Sequence, residues 1–172
     1  MVRRPRKRHP WLNHRRVSAI VTLACLFSGG CGSTPCPNFF WRIPADRAIQ
    51  EDNIRESVFR YRIERLQGNG PFFLSVDRKD PSDAFMARFA TLNRTVKKAS
   101  GSYFKEGWLR DRSTDEKAVA FSVDSICWRS LDQVEVRGGM YCGGLCADGG
   151  VYRLRKKNGL WGVEEYERQW VS

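Results

Sequence analysis

Histidine is nearly missing from this 172-residue chain. Only His9 and His14 are present, so nothing beyond residue 14 carries an imidazole. That removes Ser-His-Asp and Cys-His nucleophile schemes, histidine general bases and His-ligated metals from the rest of the molecule. No Gly-Lys-Ser/Thr element follows the glycines at 138, 139, 143, 144, 149 and 150, so this run is not a phosphate cradle. Long apolar runs are absent as well. The main one, Val17 to Phe27, has eleven residues, roughly half of what a ~30 Å hydrocarbon core requires. Acidic residues are absent before Cys31, where seven of the 30 basic residues sit, leaving 23 basic against 19 acidic residues, a net +4, in the remainder. The overall +11 therefore marks a basic leader rather than a nucleic-acid-binding arm.

That leader has three parts: basic residues 1–16, the apolar run, then Ser28, Gly29 and Gly30 before Cys31. This is the layout of a secretory signal. Small residues ahead of a cysteine resemble the cleavage site of bacterial lipoproteins, which implies that the Cys31 thiol takes a diacylglycerol and becomes the mature N-terminus. Ser28 stands where that pattern has Leu or a similar residue, and cleavage nearby without lipid is the alternative. Residues 31–44, with Gly, Ser, Thr and Pro35, Pro37 and Pro44, suit a lipid-anchored tether. The expected organisation is a signal peptide over 1–30, the tether over 31–44 and a single domain over 45–172. The expected location is the cell envelope, with the membrane as partner through Cys31. By resemblance to lipoprotein sorting rules, Gly32 is compatible with the outer membrane in a cell with two membranes.

Export favours paired cysteines. With Cys25 in the leader and Cys31 at the anchor, four remain: Cys36, Cys127, Cys142 and Cys146. Four allow three connectivities. Gly-Gly-Leu between Cys142 and Cys146 brings that pair within reach, and Cys36 is then left for Cys127. Chain entropy makes the local bridge worth about 2 kcal/mol and the long one about 4 to 5. A four-cysteine zinc site usually brings two close pairs, a catalytic dithiol more often reads Cys-x-x-Cys, and Cys36 on the tether could also stay free or form a dimer.

From Ala45 to Leu66 no Pro or Gly intervenes, and Ile49, Ile54, Val58, Tyr61 and Leu66 recur near helical spacing. Glu51 to Arg55 and Glu56 to Arg60 are well-oriented i, i+4 pairs. Residues 71–76 read as a strand, and Asp80 with Pro81 starts a second helix carrying Phe85, Phe89 and Leu92. Beyond Ala99 the period becomes two: Val119, Phe121, Val123 and Cys127 alternate, then Val134 and Val136. Asn158-Gly159 between two strand-like runs is a two-residue hairpin turn that sets Leu154 opposite Val163, Lys156 opposite Trp161 and Arg153 opposite Glu164. Alternation fails after Val163, which predicts a bulge. The fold class is α+β, with N-terminal helices packed on one face of a curved, mainly antiparallel sheet of four to five strands.

Five segments carry a resemblance. Asp80 to Asp83, Arg88-Phe89, Val96 to Ser100, VEVRGGMYCGGLCADGG over 134–150, and YRLRKKNGLWGV with the closing WVS over 152–172 resemble a widespread group of small exported bacterial proteins of unassigned function. The resemblance covers roughly residues 71–172 and is most specific in the last forty. Many members lack both cysteines of the glycine-rich run, which implies that Cys142 and Cys146 form a pair. The closing hairpin also resembles cystatin-like and nuclear-transport-factor-like α+β folds, an analogy that carries no chemistry.

Chemistry-bearing candidates are few. Asp77, Asp80 and Asp83 lie close together, but capping explains Asp80 and Asp83 better than acid-base work does. The glycine-rich run reads as a mobile strand connection stapled by a disulfide. Ser100 to Lys117 has no clear period and reads as a long loop, on which Tyr103, Phe104 and Trp108 are candidate contacts. Arg153 and Arg155, with Lys156, Lys157 and Arg137, could bind an anionic polymer if they form one face. The leading expectation is a non-catalytic envelope binding domain for a protein, peptide or small apolar ligand, with no catalytic residue, no metal, no cofactor and no nucleic acid. An enzyme using carboxylates in an aromatic pocket is the runner-up, and convergence of two acids in one pocket distinguishes it.

Overall fold

The computed structural model describes Cys36, residues 44–68 and residues 70–172. The signal, Cys31 and nearly all of the tether lie outside the described residues. Helix α1 spans Arg47–Arg65 and buries Ile54, Val58, Phe59 and Ile63. Both expected i, i+4 pairs form, Glu51 to Arg55 at 3.2 Å and Glu56 to Arg60 at 2.8 Å. Ile49, expected on the apolar stripe, is 59% exposed, and Phe59 and Ile63 face the core in its place. The short helix α2, Asp83–Ala87, is capped by Ser82, whose hydroxyl accepts from the Phe85 N–H at 3.2 Å. Asp80 is therefore not the cap; its carboxylate accepts from the Ser100 N–H at 2.9 Å.

Among the described residues eight strands form one sheet: β1 Phe72–Val76, β2 Val96–Lys98, β3 Ser102–Lys105, β4 Trp108–Asp111, β5 Val119–Trp128, β6 Gln133–Gly143, β7 Cys146–Lys157 and β8 Leu160–Val171. The main path runs β2-β1-β5-β6-β7-β8, with β4 and β3 attached at the end of β6. The α+β class holds, but the four to five strands expected become eight. The additional strands β2, β3 and β4 have three or four residues each, too few for alternation to show. β1 pairs in parallel with both β2 and β5, and the other pairings are antiparallel.

Two stretches read as loops are ordered. Residues 102–111 form the β3–β4 hairpin, turned by Glu106 and Gly107 at positive φ. The glycine-rich run lies inside two long strands, with Gly138 facing Gly150 and Gly139 facing Gly149 across β6 and β7, and only Gly144 and Leu145 are left to turn.

One face of the sheet packs on α1. Phe72 and Leu74 of β1, Phe121 and Val123 of β5, Val134 and Val136 of β6, and Tyr152 and Leu154 of β7 meet the helix's buried residues in the main core. Each fully buried side chain of this kind stabilises by about 1.5–3 kcal/mol. On the opposite face Phe73 makes a smaller cluster with Leu109 and Ala118, covered by the β3–β4 hairpin. The closing hairpin belongs to the sheet, and Ser57 of α1 donates to the Trp161 carbonyl at 3.0 Å. Leu154 faces Val163 and Lys156 faces Trp161 as expected. Arg153 faces Glu165 rather than Glu164, because the expected bulge falls at Glu164 and shifts the register by one.

Candidate functional site

Strand register assembles the site. Ser75 of β1 pairs with Ser122 of β5, Ser122 with Gly139 of β6, Gly139 with Gly149 of β7, and Gly149 with Trp170 of β8. Strand side chains alternate between faces, and Leu74, Phe121 and Met140, the neighbours of this row, pack into the helix-side core. The row itself thus crosses the sheet on the other face, and its residues are small until it reaches Trp170. It floors an open groove of about 410 Å³, within the range of small-ligand sites.

Both glycines are needed for close approach. A Cβ on Gly149 would overlap the Trp170 indole, and one on Gly139 would overlap the Asp148 carbonyl oxygen. The Nε1–Cε2–Cζ2 side of the indole can therefore pack against the strand while the residue stays 53% exposed. Ala120, Tyr141 and Ala147, in register with one another, line one side of the groove. Phe104 extends that side, its ring 6.3 Å from Tyr141.

The other side is polar. Asp124, the bulge residue of β5, and Arg137 of β6 both line the groove, as does Gln169. Asp124 accepts a long hydrogen bond, 3.4 Å, from the Ser122 hydroxyl. Among the described residues neither Asp124 nor Arg137 has an ion-pair partner. Comparison with family models, with curated proteins and with solved structures finds no match for this chain.

Behind the floor, Asp148 turns its carboxylate to the helix side. Arg62 Nη2 donates to both of its oxygens, at 2.7 and 2.9 Å, and the Tyr166 hydroxyl donates to Oδ1 at 2.9 Å. Burial works hardest against the Arg62 cation, but the hydrogen bond to Asp148 and the electrostatic attraction of Tyr152, Asp148 and Tyr166 together outweigh it and raise the guanidinium pKa. Burial, together with the hydrogen bond to Asp148, raises the Tyr166 phenol as well, and burial pushes Tyr152, stacked on Tyr166 at 4.5 Å, well above the ordinary tyrosine value. Asp124 and Asp148 both border the groove, yet the second carboxylate is fully engaged by Arg62 and Tyr166. The arrangement offers binding groups rather than a free acid-base pair.

The residues singled out from sequence are dispersed. On the β3–β4 hairpin Phe104 shares a face with buried Leu109, whereas Tyr103 and Trp108 point the other way. Phe104 alone of the three reaches the groove wall, through Tyr141. Trp108 lines a separate apolar cleft of about 210 Å³, under the ammonium of Lys117, and the Tyr103 hydroxyl donates to Asp115. Arg153 is held by Glu165 at 2.6 Å and Glu167 at 2.7 Å, and Arg155 by Glu164 at 3.2 Å. Lys157 also contacts Glu164, at 2.6 Å, so these cations form a neutralised ladder rather than a free basic stripe.

The cysteine pairs sit at disulfide-compatible distances, with Cα atoms of Cys36 and Cys127 5.4 Å apart and those of Cys142 and Cys146 5.2 Å apart. Among the described residues no cluster of His, Cys, Asp and Glu could hold a metal ion. No helix among them is long and apolar enough to cross a membrane.

Ser75, Ser122, Asp124, Tyr141 and Trp170 went unnoticed in the sequence as groove residues. Counting back from Asn158-Gly159 with the one bulge that broken alternation predicts brings Trp170 opposite Asp148; a second bulge, at Gln169, moves it to Gly149, and no sequence signal marks that one.

Proposed function

We propose that this protein is a non-catalytic binding domain of the cell envelope, exported by its leader, anchored by lipid at Cys31 and braced by Cys36–Cys127 and Cys142–Cys146 disulfides. The groove over Ser75, Ser122, Gly139 and Gly149 is its binding site. The observation that carries this reading is the pairing of an exposed Trp170 with two charged groups, Asp124 and Arg137, that are engaged by no ion pair among the described residues. Elsewhere on the same sheet Arg153 and Arg155 are each tied to carboxylates. Charged side chains left free beside an exposed aromatic in a groove are the usual make-up of a recognition surface.

Two measurements test it. Amide chemical shifts of the isotope-labelled protein, recorded against fractionated envelope extract, are expected to move at Gly139, Gly149 and the Trp170 indole N–H; changes confined to other surfaces, or chemical turnover of a component, overturn the binding reading. Mass spectrometry of the N-terminal peptide from the native cell is expected to show an acylated Cys31, and an acyl-free peptide beginning elsewhere overturns the anchor.

A further inference from the structure

We infer that the groove's ligand is a neutral saccharide, one ring of which stacks on the Trp170 indole while its hydroxyls bridge Asp124, Arg137 and the floor serines. This rests on the groove being the binding site.

Asp124 and Arg137 face the groove from neighbouring strands with no ion-pair partner among the described residues. An anionic ligand would lie against the Asp124 carboxylate, and a cationic one against the Arg137 guanidinium. A purely apolar ligand would strip water from both without replacing it, which is costly for charged groups. A hydroxyl is donor and acceptor at once, so a neutral polyol satisfies an acceptor-only carboxylate and a donor-only guanidinium together. Ser75, Ser122 and Gln169 add further groups of both kinds along the same groove.

Shape narrows the choice further. The floor is flat because its central residues, Gly139 and Gly149, have no side chain. The Nε1–Cε2–Cζ2 side of the indole packs on Gly149, and the residue is still half exposed, which leaves ring surface open to the groove as a platform. The C–H bonds on one face of a pyranose ring carry partial positive charge and meet the negative face of an aromatic ring favourably, while the equatorial hydroxyls project sideways toward polar walls. Tyr141 lines the groove from the side opposite Asp124 and Arg137, so a ring resting against Trp170 has an aromatic group along one edge and polar groups along the other. Among the described residues β8 is the last strand of the sheet, and the groove is open, so a polymer chain has room to continue past Trp170.

The test is calorimetry and saturation-transfer NMR on the full-length protein with cellotriose, maltotriose and tri-N-acetylchitotriose. Trigalacturonate serves as the anionic probe and anilinonaphthalene sulfonate as the apolar one. At least one neutral trisaccharide is expected to bind, with saturation strongest on the C–H protons of one ring face. Trp170→Ala is expected to weaken that binding about tenfold. Trp170→Phe retains most of it, whereas Asp124→Asn and Arg137→Gln each weaken it several-fold; these three keep the wild-type melting temperature, and Trp170→Ala, which also loses the indole's packing on Gly149, is compared well below its own melting temperature with its circular dichroism unchanged. Trigalacturonate binding more tightly than every neutral sugar, or only the apolar probe shifting Gly139, Gly149 and the Trp170 indole, overturns the saccharide while the groove stands. No probe shifting those signals overturns both.

Discussion

Replacing Asp148 by Asn separates two views of what holds α1 on the sheet. Among the described residues Asp148 and Arg62 are the most thoroughly buried ion pair bridging helix and sheet, with side chains 7% and 12% exposed. The guanidinium cannot shed its proton, and its contact with Asp148 raises its pKa further, so Asp148→Asn leaves a cation with nowhere to discharge. Removing one partner of a buried pair costs about 3–5 kcal/mol, a large part of the ~5–15 kcal/mol by which a domain of this size is stable. Tyr166 moderates nothing, because its hydroxyl donates to Asp148 and then faces a weaker, neutral acceptor. Arg62→Met alone should cost less, since Asp148 keeps the Tyr166 hydroxyl and can take a proton. The double variant Arg62→Met, Asp148→Asn should recover part of the loss, because replacing both partners of such a pair is often close to neutral. Urea unfolding followed by circular dichroism at pH 7 gives all three values, and the cycle gives the coupling energy. A cost under about 1 kcal/mol for Asp148→Asn, or strict additivity in the double variant, refutes the argument that this pair is desolvated and coupled.

Asp111 is buried, which opposes its charge, but Lys97 Nζ at 2.5 Å and two donors from Ser113 hold its pKa below the usual carboxylate range. Its contribution is therefore present above about pH 4 and disappears as the pH falls through the lower folded value; acid unfolding monitored by near-ultraviolet circular dichroism should be less steep in Asp111→Asn. Gly149→Ala drives the Trp170 indole off the floor, so both indole emission and groove binding should change while α1 packing persists; an unchanged emission spectrum contradicts the placement of Trp170. Non-reducing peptide mapping should recover Cys36–Cys127 and Cys142–Cys146 peptides, and Cys127→Ser should lower stability by about 4 to 5 kcal/mol against about 2 for Cys146→Ser.

The helices and the final hairpin were legible because their signals are local. An uninterrupted stretch between Ala45 and Leu66 with two i, i+4 ion pairs becomes α1, and Asn158-Gly159 becomes a turn with both φ values positive. The parallel pairing of β1 with β5 was not legible. It joins residues more than forty positions apart, Phe72 with Val119, through a crossover holding α2, β2 and the β3–β4 hairpin, and nothing in either strand's own alternation names its partner. The bulge at Glu164 shows a middle case: broken alternation announced it, but its cost to the ion pairs, moving Arg153 from Glu164 to Glu165 and Glu167, depended on which side of Val163 it fell.

In the glycine block composition and strand register point to opposite structures, and the same residues build the floor of the groove. Composition alone equates clustered glycine with a flexible connection, since each residue loses more freedom on ordering than any other type. Register reverses that reading. Gly138 and Gly139 pair with Gly150 and Gly149, so the glycines oppose one another across a strand pair instead of following one another around a loop. In the sheet interior each position without a side chain is a weakness, about 0.5–1 kcal/mol against alanine from backbone freedom alone. That weakness is offset where neighbouring groups occupy the vacated space: the Asp148 carbonyl against Gly139, the Trp170 indole against Gly149, the Tyr166 ring and Glu167 carbonyl against Gly150. Alanine at any of these three positions would collide with a neighbour, so the block is required by the packing of β6, β7 and β8 and not merely tolerated by it. Because Gly139 and Gly149 fall on the face away from α1, the constraint that lets those strands approach also clears the floor beneath Trp170, and structure and binding surface have one cause.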